Sequence, residues 1–135
     1  MTIRRFEDIE AWQDARELAK RVYSRTRCGD FSKDFGLRDQ IQRAAGSVMH
    51  NIAEGFDGGS DVEFVRFLRY AQRSCTEVQS ELYVALDQKY ITDQQFCAIF
   101  EQATRTRSRI GGLIKYLLSS EDNPRPRTKR PRTSA

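Results

Sequence analysis

The sequence predicts an all-α protein, an antiparallel up-down-up-down four-helix bundle with a disordered basic C-terminal tail. Apolar residues recur at spacings of three and four in four successive segments, as in helices that bury one face. All three prolines lie beyond residue 123, so proline prevents no earlier segment from being helical. No strand-like alternation or hairpin turn separates the segments. Short turns make consecutive helices antiparallel neighbours, which favours a bundle.

The first helix is predicted over about residues 8–27. Phe6 and Ile9 do not share the apolar face that follows, so we expect the helix to begin near Asp8. That face consists of Trp12, Ala15, Ala19, Val22 and Thr26, with Tyr23 at its edge. Cys28-Gly29-Asp30 ends the helix, and Gly29 can adopt the left-handed conformation common at helix ends.

The second helix, predicted over about residues 33–56, organises the rest of the chain. Either Ser32 or Asp34 is placed to cap it. One side carries an apolar stripe of Leu37, Ile41, Ala44, Ala45, Val48 and Ile52. Another side carries a polar column of Gln40, Arg43, Ser47, Asn51 and Glu54. Gly46 and Ala53 leave a third side nearly bare, so we expect this helix to pack on more than one side.

The third and fourth helices each begin with a capping box. Ser60 and Glu63 open a helix over about residues 60–89, and Thr92 and Gln95 open one over about residues 92–119. The third helix has an apolar face of Phe64, Phe67, Leu68, Ala71, Cys75, Val78, Leu82, Ala85 and Leu86. The fourth has Phe96, Ile99, Phe100, Ala103, Ile110, Leu113, Ile114 and Leu117. Its Gly111-Gly112 pair indicates a close helix crossing.

Length and charge predict one bundle, residues 1–118, and a separate tail, residues 119–135. The chain has 135 residues and a net charge of +4. The tail holds five basic and two acidic side chains, or +3, and the other 118 residues hold 18 and 17, or +1. Because the tail has almost no apolar side chains, it cannot offset the entropy of ordering and is expected to be disordered.

The composition argues against several classes of protein. The three cysteines form no CxxC or His/Cys cluster, so neither a metal nor another cofactor is expected. Cys75 and Cys97 are expected to be core or near-core thiols. No apolar run predicts a signal peptide or a membrane span, and a reduced, cytoplasmic protein is the simplest interpretation. His50 is the single histidine and belongs to no nucleophile and base set, so we expect neither an enzyme nor a small-molecule substrate.

The polar column of the second helix has two interpretations. The favoured one is a hydrogen-bonded seam, inside the bundle or between subunits, because a paired polar network specifies one packing. The other is a strip that binds a ligand. Arg107 falls toward the apolar side of the fourth helix and is expected to meet Glu54 or another carboxylate.

Arginines on two helices and in the tail are candidate nucleic-acid contacts. Arg66, Arg69 and Arg73 line up opposite the core with Tyr70 beside them, a pattern that can hold phosphate and stack on a base. A solvated face neutralised by Glu77, with Tyr70 serving a subunit contact, is the alternative. Arg105 and Arg109 on the fourth helix form a similar, weaker pair. The tail is the most basic segment and adds the candidates Arg125, Arg127, Lys129, Arg130 and Arg132. The tail either binds RNA or DNA without sequence preference or only adds solubility.

Four motifs carry a resemblance to a known family. They are F-x-D-I-x-A-W-Q at Phe6–Gln13, G-L-R-D-Q-I-x-R-A-A at Gly36–Ala45, N-I-A-E-G-F at Asn51–Phe56 and S-x-x-E-F-x-x-F-L at Ser60–Leu68. Residues 6–118 thereby resemble the four-helix-bundle proteins encoded by intervening sequences in bacterial 23S ribosomal RNA genes. The resemblance implies a homo-oligomer, typically a pentameric ring. It extends to the accessory protein of diversity-generating retroelements, a basic pentamer that binds nucleic acid and a reverse transcriptase.

The sequence departs from the family pattern at three positions. Met49 stands where relatives usually have proline, so the second helix is expected to be straighter. Gly58 replaces a basic loop residue and removes one candidate phosphate contact. Arg73 replaces a glycine and adds bulk and charge to the third helix. The sequence thus predicts a non-enzymatic homo-oligomeric scaffold that contacts RNA or DNA; the alternative is a protein-interaction module without nucleic-acid binding.

Overall fold

A computed structural model describes residues 3–119, and its four long helices confirm the predicted all-α fold. The helices are α1 (Glu10–Thr26), α2 (Phe35–Asp57), α3 (Asp61–Asp87) and α4 (Asp93–Ser119). Short 3-10 helices cover Phe6–Asp8 and Gly29–Lys33, and the described residues contain no strand. Each helix end lies within two residues of its predicted position. The predicted tail, after Ser119, lies outside the described residues.

The four helices form a closed square in which each helix packs on two neighbours. Between α3 and α4, Gln72 bonds to the carbonyl of Arg107, and Tyr83 meets Phe96. Residue numbers therefore increase along α3 in the direction in which they decrease along α4, as antiparallel packing requires. Between α1 and α4, Asp14 pairs with Arg109 and Arg21 bonds to the carbonyl of Ala98, which shows the same relation.

Side-chain caps begin three of the four helices. Asp34, not Ser32, caps α2 by accepting a hydrogen bond from the backbone amide of Leu37 at 3.2 Å. Ser60 accepts from the amide of Glu63 at 3.2 Å. Thr92 and Gln95 form both bonds of the predicted capping box, at 3.1 and 3.0 Å. These local patterns place the helix starts.

Asp34 also ties together the two connections at one end of the bundle. Its Oδ2 accepts a hydrogen bond from the hydroxyl of Tyr90 at 2.9 Å, and Tyr90 stacks on Phe31 with ring centroids 5.3 Å apart. Lys89, just before Tyr90, has a φ of 62°, which is uncommon for a residue with a side chain. The left-handed conformation predicted for Gly29 is present, with a φ of 52°.

The buried face of α1 is rotated from the predicted one. Ala11 and Leu18, which the prediction omitted, are buried, whereas Trp12 and Ala19 are only half-buried. Ile9 was expected to lie apart from this face, but it is 3% exposed and belongs to the core. The Trp12 ring instead packs edge-on against Phe6, with centroids 5.1 Å apart. The position of α1 between α2 and α4 decides which sector of the helix is buried.

Glycines mark two close approaches between helices. A Cβ on Gly55 of α2 would lie 2.8 Å from the Cβ of Phe67, so this position requires the absence of a side chain for α2 and α3 to pack as they do. A Cβ on Gly111 would lie 3.2 Å from the Gln72 amide nitrogen of α3, whereas one on Gly112 would meet no atom within 4 Å. Of the predicted glycine pair, Gly111 therefore faces α3, where its neighbour is the Gln72 side chain.

Two expectations for single side chains are wrong. Cys97 is exposed, whereas Cys75 is fully buried as predicted. Arg107 is exposed and forms no ion pair within residues 3–119, so it does not meet Glu54. The reason is that α2 and α4 lie across the diagonal of the square, which keeps Glu54 and Arg107 on different faces.

Candidate functional site

The outer face of α3 carries a cluster of arginine and aromatic side chains, in which Arg66, Tyr70 and Arg73 are exposed and Phe67 is half-buried. The Cζ atoms of Arg66 and Arg73 each lie 5.9 Å from the centroid of the Tyr70 ring. Tyr70 is 37% exposed and meets Phe67 edge-on, with centroids 5.7 Å apart. Spacings of three and four residues bring these side chains onto one side of the helix. We call this group, together with the exposed Arg69 one turn after Arg66, the α3 arginine cluster.

Much of the positive charge on α3 is not paired with a carboxylate. Arg66 pairs with Glu63 at 3.2 Å, and its Cζ also lies 5.4 Å from the Phe67 ring centroid. Arg69 and Arg73 are exposed and form no ion pair in the part of the chain that the structure describes. Glu77, one turn beyond Arg73, therefore does not neutralise it by direct contact. The guanidinium groups of Arg69 and Arg73, the second of which lies beside the Tyr70 ring, therefore remain open to an anionic partner.

Arg105 and Arg109 have a different environment. The Nε of Arg109 donates to the Oδ2 of Asp14 at 2.6 Å, and its Nη1 donates to Glu10. Arg105 lies 3.6 Å from the other oxygen of Asp14. The α1 carboxylates Glu10 and Asp14 thus neutralise the charges of Arg105 and Arg109, and these ion pairs hold α1 to α4.

The polar column of α2 divides into a bonded centre and free ends. Asn51 donates from Nδ2 to the backbone oxygen and to the Oγ of Ser47, at 2.8 and 2.9 Å. The Oγ of Ser74 on α3 donates to the same Ser47 hydroxyl at 3.0 Å. The centre of the column therefore joins α2 to α3. The other members, Gln40, Arg43 and Glu54, are exposed, and their side chains form no hydrogen bond or ion pair with described residues.

A shallow polar groove of about 710 Å³ runs along the outer side of α2. Its lining consists of Tyr23, Asp39, Gln42, Arg43, Gly46, Ser47, His50, Asn51 and Glu54. Gly46 leaves the middle of the groove open, since a Cβ there would meet only the imidazole of His50, at 3.6 Å. Within residues 3–119, no three His, Cys, Asp or Glu side chains are grouped as metal ligands.

Glu81 is a feature that the sequence reasoning missed. Its Oε1 atom is shielded from solvent and has no hydrogen-bond partner among the described residues. Burial, with a smaller contribution from the nearby Glu77 carboxylate, raises the pKa of this carboxyl to about 7. Helical spacing could have indicated this position, because Glu81 follows Ser74 by two helical turns and so lies toward α2, as Ser74 does.

A second missed feature is an aromatic cluster on the α3–α4 side. Tyr83 lies against Phe96 and Phe100, with ring centroids 4.9 and 5.8 Å away. Tyr83 is 52% exposed, so the cluster reaches the surface. The tail candidates Arg125, Arg127, Lys129, Arg130 and Arg132 lie outside the described residues.

Comparison with known proteins identifies the family. A family model described as 23S rRNA-intervening sequence protein matches residues 7–112, which is most of the chain. This chain belongs to the 23S rRNA-intervening sequence protein family. The match ends inside α4 and includes both the α3 arginine cluster and the groove of α2.

A solved relative shows the fold of this 23S rRNA-intervening sequence protein. It is a protein of unknown function from the S23 ribosomal protein family of Bacteroides thetaiotaomicron, known from a crystal structure at 1.70 Å resolution. The two chains superpose with a TM-score of 0.72 and 24% identity, over 78% of this chain and 95% of the other. No curated protein matches the sequence. In residues 3–119, no helix is both long and apolar enough to span a membrane.

Proposed function

We propose that this protein is a non-enzymatic, cytoplasmic, homo-oligomeric scaffold that contacts RNA or DNA through the α3 arginine cluster. The observation that carries the proposal is the arrangement around Tyr70, where two guanidinium groups flank one exposed ring. Arg69 and Arg73 add positive charge that no described carboxylate pairs. Phosphate oxygens accept hydrogen bonds from guanidinium groups, and an exposed aromatic ring can stack on an unpaired base.

The absence of catalysis in this proposal rests on the sequence. No serine, cysteine or lysine stands in a motif with a base, and the single histidine is His50. Self-association rests on the family resemblance, which implies a ring of five copies. The basic tail adds a second, sequence-independent source of affinity for phosphate, since its five cations can release counterions on binding.

Titration of an RNA fragment at two salt concentrations tests the proposal. We expect the Arg69→Ala/Arg73→Ala double variant to bind at least tenfold more weakly at low salt. Loss of two phosphate contacts should also lower the slope of affinity against salt by about two. Arg107→Ala is the matched control, because Arg107 is also an exposed arginine without a described ion pair. It should change binding much less.

A chain ending at residue 118 separates the bundle from the tail. If the double variant binds as well as the wild type and only removal of the tail abolishes binding, the α3 arginine cluster is not the contact surface. If the wild-type chain binds neither RNA nor DNA at low salt, the nucleic-acid part of the proposal is wrong. The free polar ends of the α2 column would then favour the alternative, a protein-interaction module.

A further inference from the structure

We infer that the α3 arginine cluster takes single-stranded nucleic acid, in which one unpaired base lies against the Tyr70 ring and donates a hydrogen bond to Asn51 of α2. This inference rests on the proposed function and names the class of nucleic acid that the site selects. It also adds a residue of a second helix to the site.

Two contacts fix how α2 and α3 align along the seam between them. The hydroxyl groups of Ser47 on α2 and Ser74 on α3 lie 3.0 Å apart. Gly55, two turns farther along α2, closely approaches Phe67, two turns earlier on α3. Residue numbers therefore increase along α2 in the direction in which they decrease along α3.

This alignment places Asn51 and Tyr70 at the same level of the seam. Asn51 follows Ser47 by one turn of α2, and Tyr70 precedes Ser74 by one turn of α3. Side chains four positions apart lie on the same side of a helix, so both residues share the side on which the two serines meet. A ligand on the Tyr70 ring can therefore also reach the Asn51 amide.

The Asn51 amide presents a hydrogen-bond acceptor at this level. Its Nδ2 donates to the backbone oxygen and to the Oγ of Ser47, which orients the amide. Its Oδ1 accepts no hydrogen bond from a described residue, and Asn51 lines the open groove of α2. Every base carries an N–H donor on its Watson–Crick edge, but the partner strand occupies that edge in a duplex. A contact with Asn51 therefore requires an unpaired base.

The Tyr70 ring makes the same selection by stacking. The ring is 37% exposed, and an aromatic side chain can stack only on a base whose face is uncovered. Arg66 and Arg73 stand about one turn before and after Tyr70, each with its Cζ 5.9 Å from the ring centroid. Phosphates on both sides of the stacked base thus have a guanidinium group within reach.

Carboxylates limit the site to a short stretch of strand. Glu63 pairs with Arg66 at one end of the cluster, with the exposed Glu54 of α2 toward the same end, and Glu77 lies one turn beyond Arg73 at the other. The basic stretch between these ends is about 10 Å long, or about three nucleotides at about 3.4 Å each. A site this short on the outer face of one helix cannot follow both backbones of a duplex.

Comparison of strands tests the inference on the full chain. Fluorescence anisotropy measures affinity for a short unstructured RNA, for DNA of the same sequence and for the RNA paired with its complement, at a salt concentration that weakens phosphate contacts. We expect a single strand to bind about tenfold more tightly than the duplex. Tighter binding of either single strand supports the inference, and the comparison of RNA with DNA identifies which one the site takes.

Substitution of Tyr70 separates stacking from charge. Tyr70→Ala should weaken single-strand binding about tenfold and leave duplex binding nearly unchanged, because only an unpaired base uses the ring. Tyr70→Phe keeps the ring and should bind as the wild type does. Tyr116→Ala is the matched control, since Tyr116 of α4 is 39% exposed, and it should leave both affinities unchanged.

Substitution of Asn51 tests the hydrogen bond. Asn51→Ala should weaken single-strand binding about threefold to tenfold, again without an effect on the duplex. Circular dichroism shows whether each variant is folded, and light scattering shows whether its assembly is that of the wild type.

The outcomes separate the inference from the proposal on which it rests. If the wild-type chain binds no nucleic acid, the proposed function fails and the inference fails with it. If it binds single strands and duplex equally, or if Tyr70→Ala binds as Tyr70→Phe does, nucleic-acid binding stands and this inference alone is wrong. If Tyr70→Ala changes the assembly but not single-strand binding, Tyr70 is a subunit contact and the inference is also wrong. Unchanged binding by Asn51→Ala would remove α2 from the site.

Discussion

Arg109 of α4 donates to Asp14 of α1 at 2.6 Å, across the seam where the last helix closes on the first. The backbone oxygen of Asp14 accepts a further hydrogen bond from the Gln102 side chain at 2.9 Å. Asp14 is 16% exposed at its side chain, so this is a partly desolvated contact. Two residues that looked like separate surface charges in the sequence thus form a structural link.

Loss of the Arg109 side chain should destabilise the bundle. We expect Arg109→Ala to lower the free energy of unfolding by about 1–2 kcal/mol, because it leaves the partly buried Asp14 carboxylate without its closest partner. Urea denaturation followed by circular dichroism measures the change. Arg105→Ala, which removes a more exposed and more distant partner of Asp14, should cost less than about 0.5 kcal/mol. Equal effects of the two variants would contradict this role of Arg109.

Gly55 should tolerate no side chain. We expect Gly55→Ala to lower the free energy of unfolding by about 1–3 kcal/mol, because the added methyl would overlap Phe67 and push α2 from α3. Gly112→Ala is the matched control on α4, where no atom lies within 4 Å of the new methyl. It should raise stability by up to about 1 kcal/mol through helix propensity. Thermal unfolding of both variants checks the prediction, and a stable Gly55→Ala protein would refute the close approach.

Glu81 should make stability depend on pH. Its pKa is raised to about 7 in the folded protein, above an ordinary value of 4.5, so the folded state binds more protons between these values. Stability is therefore expected to fall as pH rises from about 4.5 to 7. Glu81→Gln should be more stable than the wild type at pH 8, by about 1 kcal/mol after allowing for solvent screening, and similar to it at pH 4.

Denaturation midpoints across that pH range measure the Glu81 effect. Glu101→Gln serves as a control, since Glu101 is an exposed glutamate on α4 without an ion pair among the described residues. Its pH profile should follow that of the wild type. If stability falls with pH as steeply in Glu81→Gln as in the wild type, this carboxyl is not the source of the pH dependence.

The three thiols should react in two classes. Cys28 and Cys97 are exposed, whereas Cys75 is fully buried on α3. Burial raises the pKa of Cys75 to about 12, although the positive charge of Arg107 opposes the rise. We expect two thiols to react rapidly with a thiol reagent in the folded protein and the third only after unfolding. Mass spectrometry of the labelled chain counts them; fast labelling of all three would contradict the burial of Cys75.

Patterns local to one helix were predicted well. Both bonds of the capping box form at the start of α4, and the Ser60 bond to the amide of Glu63 forms at the start of α3, because the groups involved are only three positions apart. The apolar stripe of α2 is buried as expected, since helical periodicity alone places these side chains on one side. The prediction for α1 was less accurate, because periodicity defines a stripe but not which flank of the stripe a neighbouring helix covers.

Contacts between helices were not predictable in the same way. Periodicity placed Arg66, Tyr70 and Arg73 on one exposed side of a single helix, and the structure brings them together. It also placed Arg105 and Arg109 together, but their carboxylate partners are more than 80 positions earlier in the chain. The exposure of Cys97 was not predictable from the sequence either, because it depends on where the other helices lie.

The sequence by itself determined the four helices and their ends, because helix propensity, capping and apolar periodicity act over a few residues. Its four motifs separately carried the resemblance to the family. Tertiary structure decided which polar side chains are paired and which are free. It joined Arg109 to Asp14 and Ser47 to Ser74, and left the side chains of Arg43, Glu54, Arg69 and Arg73 without an ion pair in the described chain. The physical reason is that an ion pair or hydrogen bond requires atoms within a few ångströms, and only the packing of the helices sets those distances.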